Sequence, residues 1–132
     1  MERHNVSSGS ALEPSIGFSR AVRVGNHIAI AGTAPIAPDG TGTTGTDTYE
    51  QTKRCLEIIA EAIEKAGGAL GDVTRTRVML TDIANWQQAA RAHGEYFGDI
   101  RPASTFVQVA AFINPEWLVE IEADAIIGPY RG

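Results

Sequence analysis

The segment from Val119 to Ile127 alternates almost without a break. Val119, Ile121, Ala123, Ala125 and Ile127 are apolar, and Glu120, Glu122 and Asp124 stand between them. Successive side chains of a strand point to opposite faces, so this pattern fits a strand with one buried face and one charged face. The chain is thereby held to a sheet covered on one side only. Helices must do the covering, and two amphipathic stretches are present to do so. In the first, Leu56, Ile59, Ile63 and Ala66 recur at helical spacing. Asp47 or Thr48 supplies an N-cap, Glu50 or Gln51 a capping box, and Gly67-Gly68 the stop. In the second, Asp82 caps a helix whose stripe is Trp86, Ala90, His93 and Phe97, ended by Gly98.

Strands account for the rest. Phe18 to Val24 and His27 to Gly32 are apolar runs joined by Gly25-Asn26, a two-residue link suited to a tight hairpin. Ile28 to Ala31 is apolar on both faces, as in an interior strand. Val73 to Thr81 is a third strand, Ser104 to Ala110 a fourth, and Leu118 to Ile127 the last. The order ββαβαββ predicts an α+β domain, a single mixed β-sheet with two helices packed on one face. Residues 1–13 read as a flexible tail or short edge strand, with order beginning near Ile16 and one domain over residues 14–132. On the uncovered face, Phe106 and Ala110 are expected beside Ser104, Gln108 and the carboxylates. A face mixing aromatics with charge points to self-association.

Composition narrows the function. Eleven Lys and Arg against sixteen Asp and Glu leave a net charge of −5 and no basic stripe, which argues against a nucleic-acid partner. Cys55 is the only cysteine, so no internal disulfide or CxxC pair exists. No apolar run approaches the roughly 20 residues of a membrane span, and the expectation is a cytoplasmic protein without a membrane partner. Gly40 to Gly45 matches GxGxxG, but Pro35 and Pro38 separate it from the preceding strand and Asp47 sits where a pyrophosphate would bind, so no dinucleotide is expected. His4, His27 and His93 show no ligand spacing, and neither metal nor cofactor is expected. His93, on an apolar stripe, reads first as a core histidine. Arg75 and Arg77 project from one face of their strand, where pairing with Glu120, Glu122 or Asp124 outweighs an anion-binding role.

Several phrases, in order and spacing, resemble the Rid family (RidA/YjgF, also called L-PSP endoribonuclease). They are Gly17-Phe18-Ser19-Arg20-Ala21-Val22, Val24-Gly25-Asn26, Gly32-Thr33-Ala34-Pro35, Gln51-Thr52, Leu80-Thr81-Asp82, Tyr96-Phe97-Gly98, Arg101-Pro102-Ala103 and Val119-Glu120-Ile121-Glu122-Ala123. The resemblance implies a chorismate-mutase-like fold assembled as a homotrimeric barrel, with small-molecule clefts between subunits. It also implies hydrolysis of reactive imines and enamines to a 2-keto acid and ammonia. In the family, the arginine of a Pro-Ala-Arg-Ser phrase clamps the substrate carboxylate, and a last-strand glutamate assists water. Here that phrase is Pro102-Ala103-Ser104-Thr105, with Phe18 in place of the usual tyrosine and Phe106 in place of a cysteine. Glu120 is therefore the candidate catalytic residue. Phe18, Gly32, Thr33, Ser104, Thr105 and Phe106 are candidate binding residues, with Arg77 and His93 as further candidates.

Losing one member of a buried charge pair costs about 2–5 kcal/mol, some 30- to 3000-fold in binding a carboxylate. A serine hydroxyl returns only about 1 kcal/mol. The expectation is a variant C–N hydrolase or deaminase with weak or no activity on 2-imino acids. The alternatives are a non-catalytic metabolite-binding protein and an endoribonuclease or translation inhibitor. The pKa of Glu120 should be raised by burial unless Arg77 or His93 answers its charge.

Overall fold

The computed structural model describes residues 1–130. The elements are β1 (Arg3–Val6), α1 (Leu12–Ile16), β2 (Ala21–Val24), β3 (His27–Thr33), α2 (Thr48–Lys65), β4 (Val73–Leu80), α3 (Trp86–Phe97), β5 (Ala103–Gln108) and β6 (Val119–Ile126), with short 3-10 turns at Leu70–Asp72 and Ile83–Asn85. One six-stranded sheet runs in the order β1-β2-β3-β6-β4-β5. Among the described residues only β4 and β5 pair in parallel, so the sheet is mixed as expected. Order begins earlier than the composition suggested: β1 pairs along β2, from Arg3 opposite Val24 to Val6 opposite Ala21, and so forms one edge. No helix among the described residues is long and apolar enough to cross a membrane.

β6 lies between β3 and β4, and its alternation sorts the molecule. Val119, Ile121, Ala123 and Ala125 are buried beneath α2, which packs on β3 and β6. Ile28, Ile30, Val78 and Leu80 share that face with Leu56, Ile59 and Ile63 of α2. Cys55 is buried among them. The open face carries Glu120, Glu122 and Asp124 opposite Met79, Arg77 and Arg75.

The local signals act largely as their chemistry requires. Gly25 takes φ 59° in the β2–β3 turn, a conformation that favours glycine. Asp47 caps α2 by accepting from the Glu50 amide at 2.8 Å. The reciprocal half of a capping box is absent; the Glu50 side chain makes no bond back. Gln51 instead faces inward. Its Nε2 donates to the carbonyls of Gly45 and Glu116, and its Oε1 accepts from the Leu118 amide. A fully buried amide thus uses its polar atoms to tie the long Pro35–Thr46 loop to the start of β6. The Gly40–Gly45 stretch lies in that loop, closed by an isolated bridge between Ile36 and Thr43, and makes no strand-to-helix turn.

α3 departs from the expected stripe. Asp82 caps the 3-10 turn before it, accepting from Ala84, and Trp86 is left exposed at the helix start. Its buried face is Ala89, Ala92 and Phe97. With helix crowding at α2, small alanines replace the large residue that periodicity alone suggested.

Ile59 is wholly buried and Ile113 is 82% exposed. Ile59→Ala should therefore cost about 2–5 kcal/mol of unfolding free energy in urea titrations, and Ile113→Ala no more than about 0.5 kcal/mol.

Candidate functional site

The predicted residues fall into two groups on opposite faces of the sheet. The first is built on the edge strand β5. Ser104 pairs in parallel register with Thr76, and Phe106 with Val78, whose side chains are buried on the helix side. Ser104 and Phe106 therefore lie on the helix side, not beside the carboxylates. The physical reason is register: the pleat places Ala103, Thr105 and Val107 on the open face instead. Ala110 lies beyond the end of β5 altogether.

Around Ser104 the polar atoms form a short chain. Ser104 Oγ donates to the Pro102 carbonyl at 3.0 Å, and Thr76 Oγ1 donates to Ser104 Oγ at 2.7 Å. Thr76 has then used its only proton, so its lone pair accepts from Nε2–H of His93 at 2.9 Å. The His93 ring is packed against Phe97, with centroids 4.7 Å apart, and meets Phe106 edge-on at 5.5 Å. Desolvation lowers its pKa below the usual histidine value, so the imidazole is neutral at pH 7 and donates rather than carries charge. Ser104 Oγ is 3.5 Å from Nε2 and already directed at a carbonyl. This is a positioned hydroxyl, not a nucleophile activated by a base.

The second group surrounds Glu120 on the open face. A Cβ built on Gly32 would lie 3.5 Å from Glu120 Oε1, so the carboxylate rests close against the β3 backbone. Burial raises the Glu120 pKa; the Arg20 cation opposes the rise and the neighbouring Glu122 adds to it. Neither Arg77 nor His93 answers this charge. Arg77 pairs with Glu122 at 2.9 Å and approaches Asp124 at 4.0 Å, a surface arrangement worth about 0–1 kcal/mol. His93 lies on the other face. Thr33 is buried, with Oγ1 donating to the Ala31 carbonyl at 2.8 Å.

Arg20 is the residue that the sequence patterns passed over. Its Nη1 donates to the Gly32 carbonyl at 3.1 Å, and Thr33 Oγ1 lies 3.4 Å away. Its guanidinium also stands 5.5 Å from the Phe18 ring centroid, which joins Phe18, Gly32, Thr33 and Glu120 into one neighbourhood. The available signal was a charged residue placed directly before the buried Ala21, where an apolar run should begin.

Within one chain the groups do not meet. Glu120 is on β6 and Ser104 on β5, two strands apart, or roughly 10 Å, and they face opposite ways. No group of three or more His, Cys, Asp or Glu side chains able to hold a metal occurs among the described residues. The open face also exposes Val24, Val107 and Ile126 beside its charged residues.

The sequence matches the family model described as Endoribonuclease L-PSP over residues 8–127. It is 35% identical to a RutC family protein of Pyrococcus abyssi over 125 residues, 95% of this chain and 98% of the relative. The fold superposes with a TM-score of 0.88 on a Mycobacterium tuberculosis protein described as a member of the highly conserved YjgF/YER057c/UK114 family. That pair is 44% identical, covering 96% of this chain and all of the other. A Yersinia pestis protein of the conserved Rid family superposes at 0.83 with 27% identity, covering 96% of this chain and all of that one.

A histidine with a depressed folded-state pKa binds its proton more readily when unfolded. Stability should therefore be full above the unfolded value of about 6.5 and decline as pH falls from there towards the folded value. NMR titration should give His93 a midpoint below that of a free histidine, and His93→Gln should flatten the decline. A midpoint at or above the free value would contradict the desolvated, neutral ring.

Proposed function

Since the chain belongs to the endoribonuclease L-PSP (YjgF/Rid) family, we propose that it works as a homo-oligomer, a trimer, whose small-molecule clefts each join the Glu120 group of one subunit to the Ser104 group of its neighbour. The reaction proposed is hydrolysis of the C=N bond of an imine, or of the imine tautomer of an enamine, in a substrate without the usual carboxylate. The observation that carries this reading is Glu120 itself. It is a half-buried carboxylate with a raised pKa, held against the Gly32 backbone on an otherwise open face.

Water adds to the imine carbon, giving a carbinolamine that loses ammonia or an amine to leave a carbonyl compound. Glu120 accepts a proton from the attacking water and returns it to the departing nitrogen. A pKa raised by burial above the ordinary carboxylate value suits both roles better than an ordinary surface carboxylate would. On the other wall, Ser104 offers a neutral hydroxyl and Phe106 apolar contact, while Phe18 lines the Glu120 wall and Thr105 faces the open side of β5. Glu120, with Glu122 beside it and Arg20 turned to the Gly32 carbonyl, favours a neutral or cationic substrate over an anionic one. Arg77 is committed to Glu122 and has no place in the chemistry. The −5 charge and dispersed cations give an RNA substrate no electrostatic purchase.

Purified protein should accelerate hydrolysis of enzymatically generated neutral imines, and Glu120→Gln should lower kcat about 10²- to 10⁴-fold. Ser104→Arg should raise kcat/KM on 2-imino acids by about 30-fold or more. Rapid clearance of 2-aminoacrylate by the wild-type protein would overturn the proposed substrate preference. Binding of imines without turnover would replace catalysis with a metabolite-binding role.

A further inference from the structure

A second concavity lies away from Glu120 and Ser104, between the segment following β1, the Ile36–Gly40 part of the long loop and the outer side of α2. Its volume is about 650 Å³, within the range of small-molecule sites. Much of its wall is apolar, including Val6, Ala34, Ile36, Ile58 and the edge of Trp117. Three cations reach it: Arg20, Arg54 and Lys65. Two of them are already matched. Lys65 pairs with Glu61 at 3.0 Å, and Arg54 pairs with Glu57 at 3.2 Å while its Nε donates to the Ile36 carbonyl.

Arg20 differs. It is half-buried where Lys65 is exposed, and no carboxylate among the described residues lies within 4.0 Å of it. Glu13 and Glu120 act on it only from a distance. Its Nη1 is held by the Gly32 carbonyl, and among the described residues its buried Nε has no partner and its Nη2 makes no hydrogen bond. A desolvated guanidinium is costly to leave without an adjacent anion, and its fork suits a carboxylate in particular. Two carboxylates also line the cavity: Glu61, already paired with Lys65, and Asp39, which is on the exposed loop and accepts from the Thr41 amide.

We propose that this cavity binds a small organic carboxylate with an aliphatic or aromatic body, Arg20 pairing with the carboxylate and Ile36, Ile58 and Trp117 enclosing the body. The cavity shares Arg20 with the surroundings of Glu120 but none of its other lining residues, and the proposal does not depend on the hydrolytic reading. Occupation would complete the charge balance of Arg20 and tie the serine-rich segment Ser7–Ser10 to α2. Binding should therefore raise the melting temperature.

The test uses the full chain with 4-methylpentanoate and phenylacetate as probes, and their primary amides as uncharged controls. Isothermal titration calorimetry and thermal shift should show binding of the acids and not of the amides. Arg20→Gln should weaken binding about 30-fold or more. Ile58→Trp, at a half-buried position on the cavity wall, should abolish it by filling the space, and circular dichroism shows whether each variant is folded. Should Arg20→Gln fail to fold, Ile58→Trp alone decides the matter. Absence of acid binding to the wild-type protein would overturn the proposal, as would equal binding of acids and amides or undiminished binding to folded Ile58→Trp. Because Arg20 also acts on Glu120, imine hydrolysis is measured on the wild-type protein, and failure of either site there leaves the other standing.

Discussion

The pleat of β6 is the constraint from which the rest follows. It is an interior strand, bonded to β3 on one side and β4 on the other, and its side chains divide strictly between a helix-covered core and an open face. A slip of one residue would bury Glu120, Glu122 and Asp124 beneath α2 and turn Ile121 and Ala123 outwards. The desolvation cost of three carboxylates makes that register inaccessible. The same pleat fixes Arg77 opposite Glu122 and places Glu120 beside Met79, near the end of the sheet where Gly32 leaves room for it.

Two consequences of this geometry bear on function. A carboxylate held at the edge of the burial boundary has its pKa raised without being fully removed from water, a condition suited to proton transfer. The edge strand β5, in contrast, turns Ser104 and Phe106 towards α3, where a neutral His93 and the Thr76 hydroxyl fix the serine in one orientation. One wall is acidic and the other neutral. In the proposed cleft neither wall alone encloses a substrate; the open face exposes Val24, Val107 and Ile126.

Much of this arrangement was legible in the sequence. The alternation at β6, the Gly25-Asn26 turn and the helical spacing of α2 each follow from strong local rules, and the sheet and its covered face come directly from them. What was not legible depended on register between strands remote in sequence. Nothing near Ser104 shows that it sits level with Thr76 rather than one residue away, and that single step decides which face it shares. Trp86 misled for a related reason: period alone cannot distinguish a helix face packed against a neighbour from its flank, and close packing against α2 selected Ala89 and Ala92. Arg20 was obscured because its importance is tertiary. Its hydrogen bond to Gly32 and its influence on Glu120 arise only when β2, β3 and β6 are assembled. Residues 1–13 could be read as a flexible tail or a short edge strand, and Arg3–Val6 takes the second form, because an edge strand gains much of its stability from its partner, not from its own apolar content.

In the proposed assembly the Glu120 wall and the Ser104 wall belong to one site only when contributed by different subunits. Subunit mixing tests it most directly: Glu120→Gln and Ser104→Trp chains, each inactive alone, are co-assembled and assayed for imine hydrolysis. A site shared between neighbours predicts recovery to about a quarter of the wild-type rate under random mixing, because some interfaces then carry neither lesion. Activity no greater than the sum of the separate variants would contradict it.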